Sequence, residues 1–240
     1  KLTELLENLS ASLDSSDGGV YTKNREIKKV LLVTITSNRG LCGGFNTYII
    51  KKVKALINDE YQNANISILS IGKKSSEHFD KNGFNVVSKQ DSLFGELTFD
   101  NIAKVAEGIM DQFVAGDYDK VVLVYNQFKN TATQIIIAEN FLPVQSTKNK
   151  GATSGDYIFE PTKQEIVEQL IPKSLKTQLF KAILDSHAAE HGARMTAMHK
   201  ATDNASELKK ELTLTYNKAR QAAITGEILE IVGGAEALNG

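Results

Sequence analysis

The 240-residue chain has no tryptophan, one cysteine and three prolines, and its 28 Lys and Arg nearly cancel its 29 Asp and Glu. Each scarcity excludes something. A lone thiol, Cys42, cannot close an internal disulfide, which fits a reducing compartment. Balanced charge leaves no broad electrostatic footprint for nucleic acid or for an anionic membrane. There is no uninterrupted apolar run of about 18 residues, so no membrane-spanning helix is expected. The start, Lys1-Leu-Thr-Glu, lacks the basic-then-apolar layout of a secretory signal. Because it is not a methionine, we expect further residues upstream. What remains is a chain long enough to bury one or two cores.

Residues 1–14 carry Leu2, Leu6, Leu9 and Leu13 at four- and three-residue steps, the seam of a short amphipathic helix. The Ser15–Gly19 stretch interrupts it. Residues 28–36 (KKVLLVTIT) are rich in β-branched side chains and read as a buried strand, followed by a glycine-rich turn. Residues 45–57 return to helical spacing through Ile49, Ile50, Val53 and Leu56, and 65–71 (NISILSI) form a second strand. A brief strand is expected at 85–87, a helix at 100–114, and strands at 120–125 and 131–141. This alternation predicts an α/β, Rossmann-like domain with a mostly parallel sheet between helices. Residues 149–156 are polar and contain glycine, hence a loop.

After Pro161 the texture changes. Thr162 with Glu165 makes a capping box, Pro172 suits a first helical turn, and up to Val232 only Gly192 and Gly226 interrupt a helical pattern. One helix over this span would extend roughly 90 Å at about 1.5 Å per residue. Its apolar positions recur in sevens, with Leu184, His191, Met198, Ala205, Leu212 and Ala219 in one row. Ala188, Met195, Thr202, Lys209, Tyr216 and Ala223 make the other, a coiled-coil seam. It is thin, because Ala, Thr and Met bury less area than Leu and Ile. Residues 1–14 are too short to cover it, so a partner is needed. Beyond Arg220 there is no cation, while Ile224, Ile228, Leu229, Ile231, Val232, Ala235 and Leu238 form an apolar tail, the mark of an interface. The expected domains are therefore 1–16, the end of an N-terminal coiled-coil helix; 26–160, the α/β body; and 162–240, the long C-terminal helix.

Residues 189–238, AEHGARMTAMHKATDNASELKKELTLTYNKARQAAITGEILEIVGGAEAL, resemble the C-terminal helix of the γ subunit of F-type ATP synthase, and 224–237 match that family's signature. Residues 35–46 (ITSNRGLCGGFN) and Tyr125-Asn-Gln-Phe128 resemble its central domain. The resemblance implies an upstream N-terminal helix lying antiparallel to the C-terminal one, which supplies the missing partner. It implies a rotor shaft without a catalytic site or cofactor of its own, turning inside a hexamer of α and β subunits, with ATP made in β. The ε subunit and a membrane ring of c subunits are the further partners, and proton or sodium flow drives the ring. By position, Arg220, Gln221 and Thr225 match residues that contact β loops at the catch, and Arg194 the one that meets the β lever. Gly192 stands where the family usually has Ala, costing about 1 kcal/mol of helix propensity and implying a softer shaft there. Without a cysteine-bearing regulatory insert, the sequence leans towards a bacterial subunit, peripheral on the cytoplasmic face of the inner membrane, the alternative being an organellar inner membrane.

Two motifs compete with that reading. His187-Ala-Ala-Glu190-His191 fits the H-x-x-E-H zinc-protease pattern, two imidazoles one helical turn apart beside a carboxylate. Such a site needs a third ligand and a substrate cleft, whereas His191 falls on the seam. Gly40-Leu-Cys-Gly43-Gly44 lies between a strand and a helix, where many α/β proteins cradle phosphate. Its spacing is not G-x-G-x-x-G and no Walker lysine follows, so a tight turn with a small buried Cys42 is the simpler reading. A dimerising coiled-coil adaptor is a third possibility, distinguished by its stoichiometry in solution.

Overall fold

The computed structural model describes residues 20–131, 133–144 and 163–239. The leucine helix at 1–14, the break at 15–19, the polar loop at 149–156 and the Thr162–Glu165 capping box lie outside the residues or side chains so described. The chain divides into two compact units, Lys1–Met195 and Thr196–Gly240.

Among the described residues five strands make one sheet: β1 (Lys29–Ile35), β2 (Asn65–Ile71), β3 (Val86–Lys89), β4 (Lys120–Phe128) and β5 (Gln134–Leu142). Their spatial order is β3-β2-β1-β4-β5. The first four run parallel, and β5 returns antiparallel beside β4. Central strand β1 sets the register, its Val33 lying between Leu69 and Leu123. Because successive side chains leave a strand on opposite faces, the near-continuous apolar run of β1 feeds two cores at once. Leu31, Val33 and Ile35 join Ile102, Ala106, Ile109 and Phe113 of helix α3 (Phe99–Ala115). Val30 and Leu32 pack instead on Ile49, Val53 and Leu56 of helix α1 (Phe45–Asp59) and on Phe79. Thr98 caps α3 by accepting from the Asn101 amide, and Gly116 closes it in the left-handed conformation.

Phe79 belongs to helix α2 (Lys73–Lys81), which hydrophobic spacing does not reveal, since the face it buries holds Ser75 and Ser76 beside that one aromatic. Hydroxyl chemistry holds it instead. Ser75 Oγ hydrogen-bonds Thr34 Oγ1, and the Ser75 amide donates to Thr36 Oγ1 at 3.0 Å. The turn into α2 passes through Gly72 at φ 103°, where an added Cβ would lie 2.0 Å from the Thr36 carbonyl oxygen. Only glycine fits that approach. The third strand lies slightly later than expected, at Val86–Lys89, followed by a 3-10 turn at Asp91–Gly95.

Helix α4 runs unbroken over Lys163–Asn239. Pro172 lies inside it rather than in its first turn, which corrects the role expected of that proline; a proline there forfeits one backbone hydrogen bond. Within the first unit α4 buries Ile171, Leu175, Leu179, Ala182, Ile183, Ser186 and Ala189. The first five of these join the α3 side of the core. This face is distinct from the heptad seam: Leu184, Ala188, His191 and Met195 of the seam are exposed. Residues 171–189 are thus apolar on more than one side, and the body takes a face that the heptad reading does not single out.

Candidate functional site: the shaft helix and its seat

In an open α/β sheet, ligands bind outside the carboxyl ends of the strands where the strand order reverses. Here that point lies between β1 and β4, at the turn 36–44 and at the end of β4. It is filled by the chain itself. Cys42 and Phe45 bury against Ala189 of α4, and Asn126 Nδ2 donates to the Phe45 carbonyl at 3.1 Å. Arg194 Nη1 donates to the Gly40 carbonyl and Nη2 reaches that of Arg39 at 3.5 Å. Nη2 also pairs with Glu190 at 2.6 Å, and the two side chains are only 25% and 12% exposed. The glycine-rich turn is therefore a seat for a helix, and Cys42, 1% exposed, is a packing side chain within it.

Gly192 explains how closely α4 can sit. It is buried, and a Cβ there would stand 3.2 Å from Thr131 Cα, 3.3 Å from its carbonyl oxygen and 3.4 Å from Phe128 Cε2. Glycine here admits a close approach of helix to the residues at the end of β4, a packing reason for its presence that helix propensity does not supply. Further along β4, Tyr125 Oη donates to Glu139 Oε2 at 2.8 Å, and Gln178 Nε2 of α4 donates to Glu139 Oε1 at 2.8 Å and to the Asn140 carbonyl at 3.2 Å. Burial first, then the Glu139 carboxylate, push the Tyr125 hydroxyl well above its usual range, so it stays a donor. A half-buried three-residue relay thus ties α4 to the antiparallel edge of the sheet.

The histidine motif takes a different form from a protease site. His187 Nε2 and His191 Nε2 face each other at 3.2 Å, and Phe94 stacks on the His187 ring with centroids 5.9 Å apart. Glu190, the would-be general base, is taken by Arg194. Among the described residues no group of three or more His, Cys, Asp or Glu side chains could hold a metal ion.

In the second unit the helix exposes large apolar side chains on several sides. Leu208, Leu212, Leu214, Tyr216, Ile224, Ile228, Leu229, Ile231 and Val232 are each about half to two-thirds exposed. An open groove of about 420 Å³ is lined by Ala205, Leu208, Lys209, Leu212, Thr213 and Tyr216, four of which are seam positions. Arg220, Gln221 and Thr225 are exposed on the same segment. Gln221 and Thr225 stand one turn apart on one face, with Arg220 beside them. Arg194 is not with them; its guanidinium is engaged on its own chain. The part that Glu190, Gly192, Gln178 and Glu139 play in holding α4 in its seat escapes the sequence reading, which meets Glu190 and Gly192 only in other roles. Their signals are single polar or small residues without periodicity.

The sequence model of the family described as ATP synthase matches residues 1–238. An ATP synthase gamma chain of Flavobacterium psychrophilum is 63% identical over 241 residues, spanning 100% of this chain and 84% of the relative. That of Flavobacterium johnsoniae is 60% identical with the same coverage. Among solved structures, a chain in the Euglena gracilis mitochondrial ATP synthase, resolved as OSCP/F1/c-ring, superposes with a TM-score of 0.69 at 21% identity, covering 99% of this chain and 86% of that one. A chain of the Tetrahymena thermophila mitochondrial ATP synthase central stalk and c-ring gives 0.58 at 22%, covering 84% and 100%. These two share the fold. With the whole length matched and the glycine-rich turn occupied by the chain's own helix, the chain belongs to the family of ATP synthase gamma chains.

Proposed function

We infer that this chain is the central-stalk rotor subunit of a proton- or sodium-translocating ATP synthase, coupling rotation of a membrane ring to conformational change in the catalytic hexamer. It is a subunit of an ATP-synthesising complex, and no helix among the described residues is long and apolar enough to cross a membrane. We place the ATP chemistry on the β subunits and give this chain a mechanical part, peripheral on the cytoplasmic face of a bacterial inner membrane. Its partners are the α and β subunits, ε and the ring of c subunits. The observation that carries the reading is the set of large apolar side chains over residues 208–232, about half to two-thirds exposed, in a chain whose full length matches gamma chains. Apolar area of that extent on one helix is stabilised when a neighbouring helix or a sleeve of other subunits covers it.

Arg220, Gln221 and Thr225 are the residues we assign to contact with β at the catch. A planar guanidinium can pair with carboxylates on whichever β subunit faces it at each step. Arg194 keeps a proposed contact with the β lever only if it can release the Gly40 carbonyl. Substituting Arg220→Ala or Gln221→Ala should lower ATP-driven turnover of the assembled complex, by roughly tenfold for each ~1.4 kcal/mol of lost coupling, while the helicity of the isolated subunit stays the same. Unchanged turnover in both variants would remove the catch assignment.

A further inference from the structure

The rotor reading makes no use of the imidazole pair on α4. From its geometry we propose that His187 and His191 form a two-imidazole site for a borderline transition-metal ion of the Zn²⁺ or Cu²⁺ class, with water completing the coordination shell. Two nitrogens bound to one tetrahedral Zn²⁺ at about 2.0–2.1 Å lie about 3.4 Å apart. The Nε2 atoms here stand at 3.2 Å, close to that separation, so an ion bound beside the line joining them would need the rings to turn but not the helix to move. One helical turn provides this spacing, since side chains four residues apart lie above one another on a helix.

Two features around the pair bear on metal binding. Phe94 stacks on the His187 ring at an interplanar angle of 20°, which braces one of the two rings. Glu190 is bound to Arg194, so the carboxylate does not close the shell. With two protein ligands the site differs from a closed structural one with four. Without an ion, the same distance accommodates a hydrogen bond from one neutral imidazole to the other, which the ion would replace.

The four histidines of the chain are His78, His187, His191 and His199, so the test has complete controls. Zinc chloride is titrated against the full chain in competition with a chelating dye, with Cu²⁺ electron paramagnetic resonance in parallel. One equivalent of Zn²⁺ should bind, with binding weakened at least tenfold by His187→Ala and by His191→Ala and unchanged by His78→Ala and His199→Ala. The Cu²⁺ spectrum should show coupling to two equatorial nitrogens. In the unsubstituted protein, Zn²⁺ should shift the ring-proton resonances of two histidines and spare the other two, a readout independent of how any variant folds. No saturable binding, or binding that survives both His187→Ala and His191→Ala, would overturn the proposal.

Discussion

The Glu190–Arg194 pair offers a quantitative test of how α4 is seated. The perturbation is a double-mutant cycle of Glu190→Ala and Arg194→Ala. An exposed pair one helical turn apart couples by about 0.3–0.5 kcal/mol, whereas removing one partner of a fully buried pair costs about 3–5 kcal/mol. With side chains 12% and 25% exposed, this pair falls between those limits, and a coupling of about 1–2 kcal/mol follows. The two single substitutions should also differ. Arg194→Ala strands a largely buried carboxylate and should cost about 2–3 kcal/mol. Glu190→Ala leaves Arg194 on the carbonyls of Gly40 and Arg39 and should cost about 1 kcal/mol. Tyr61, Tyr118 and Tyr125 are buried in the first unit, so tyrosine near-ultraviolet dichroism during urea unfolding reports on that unit. A coupling under about 0.3 kcal/mol, or Glu190→Ala proving the costlier change, would refute this account of the seat.

Tyr125→Phe removes the hydroxyl that Glu139 accepts from, leaving Gln178 on the same carboxylate. The loss should be about 1 kcal/mol, seen as a drop in melting temperature of about 2–4 °C for a chain of this size; an unchanged temperature would mean the relay does not hold α4. The third prediction concerns pH. His187 is held below its usual value by burial, so the unfolded chain binds its proton first as pH falls. Its stabilising contribution is full above about pH 6.5 and is lost as pH drops through its lower folded value. His187→Gln should therefore flatten the acid-side decline in stability between those two values, and an identical decline in both proteins would contradict the assignment.

The long apolar run of β1, the alternation of β and α segments and the continuity of α4 were legible because each rests on repeated apolar residues, which periodicity detects. Helix α2 was not, because its buried face is serine bonded to threonine and its entry depends on the φ of Gly72. Nor was the face by which α4 meets the sheet, since heptad counting assigns residues 184–195 to one seam, while Ile183, Ser186, Ala189 and Gly192 pack on the other side. Gly192 shows the limit most directly. Propensity alone reads it as a weak point, yet its lack of a Cβ matters only once Thr131 and Phe128 are known to stand against it. Arg194 enters the sequence reading through resemblance, as a partner contact. Its bonds to Gly40 and Glu190 join positions 154 and 4 residues away, and the longer of these has no local signature.

As the shaft of its complex, this chain should turn. Cys42 is 1% exposed, so a cysteine introduced by Glu60→Cys at the exposed end of α1 can carry a gold rod while the complex is fixed to a surface through its catalytic subunits. On addition of ATP the rod should rotate continuously in one direction, at a speed that follows ATP concentration. A rod that stays still while the same complexes hydrolyse ATP would contradict the central claim.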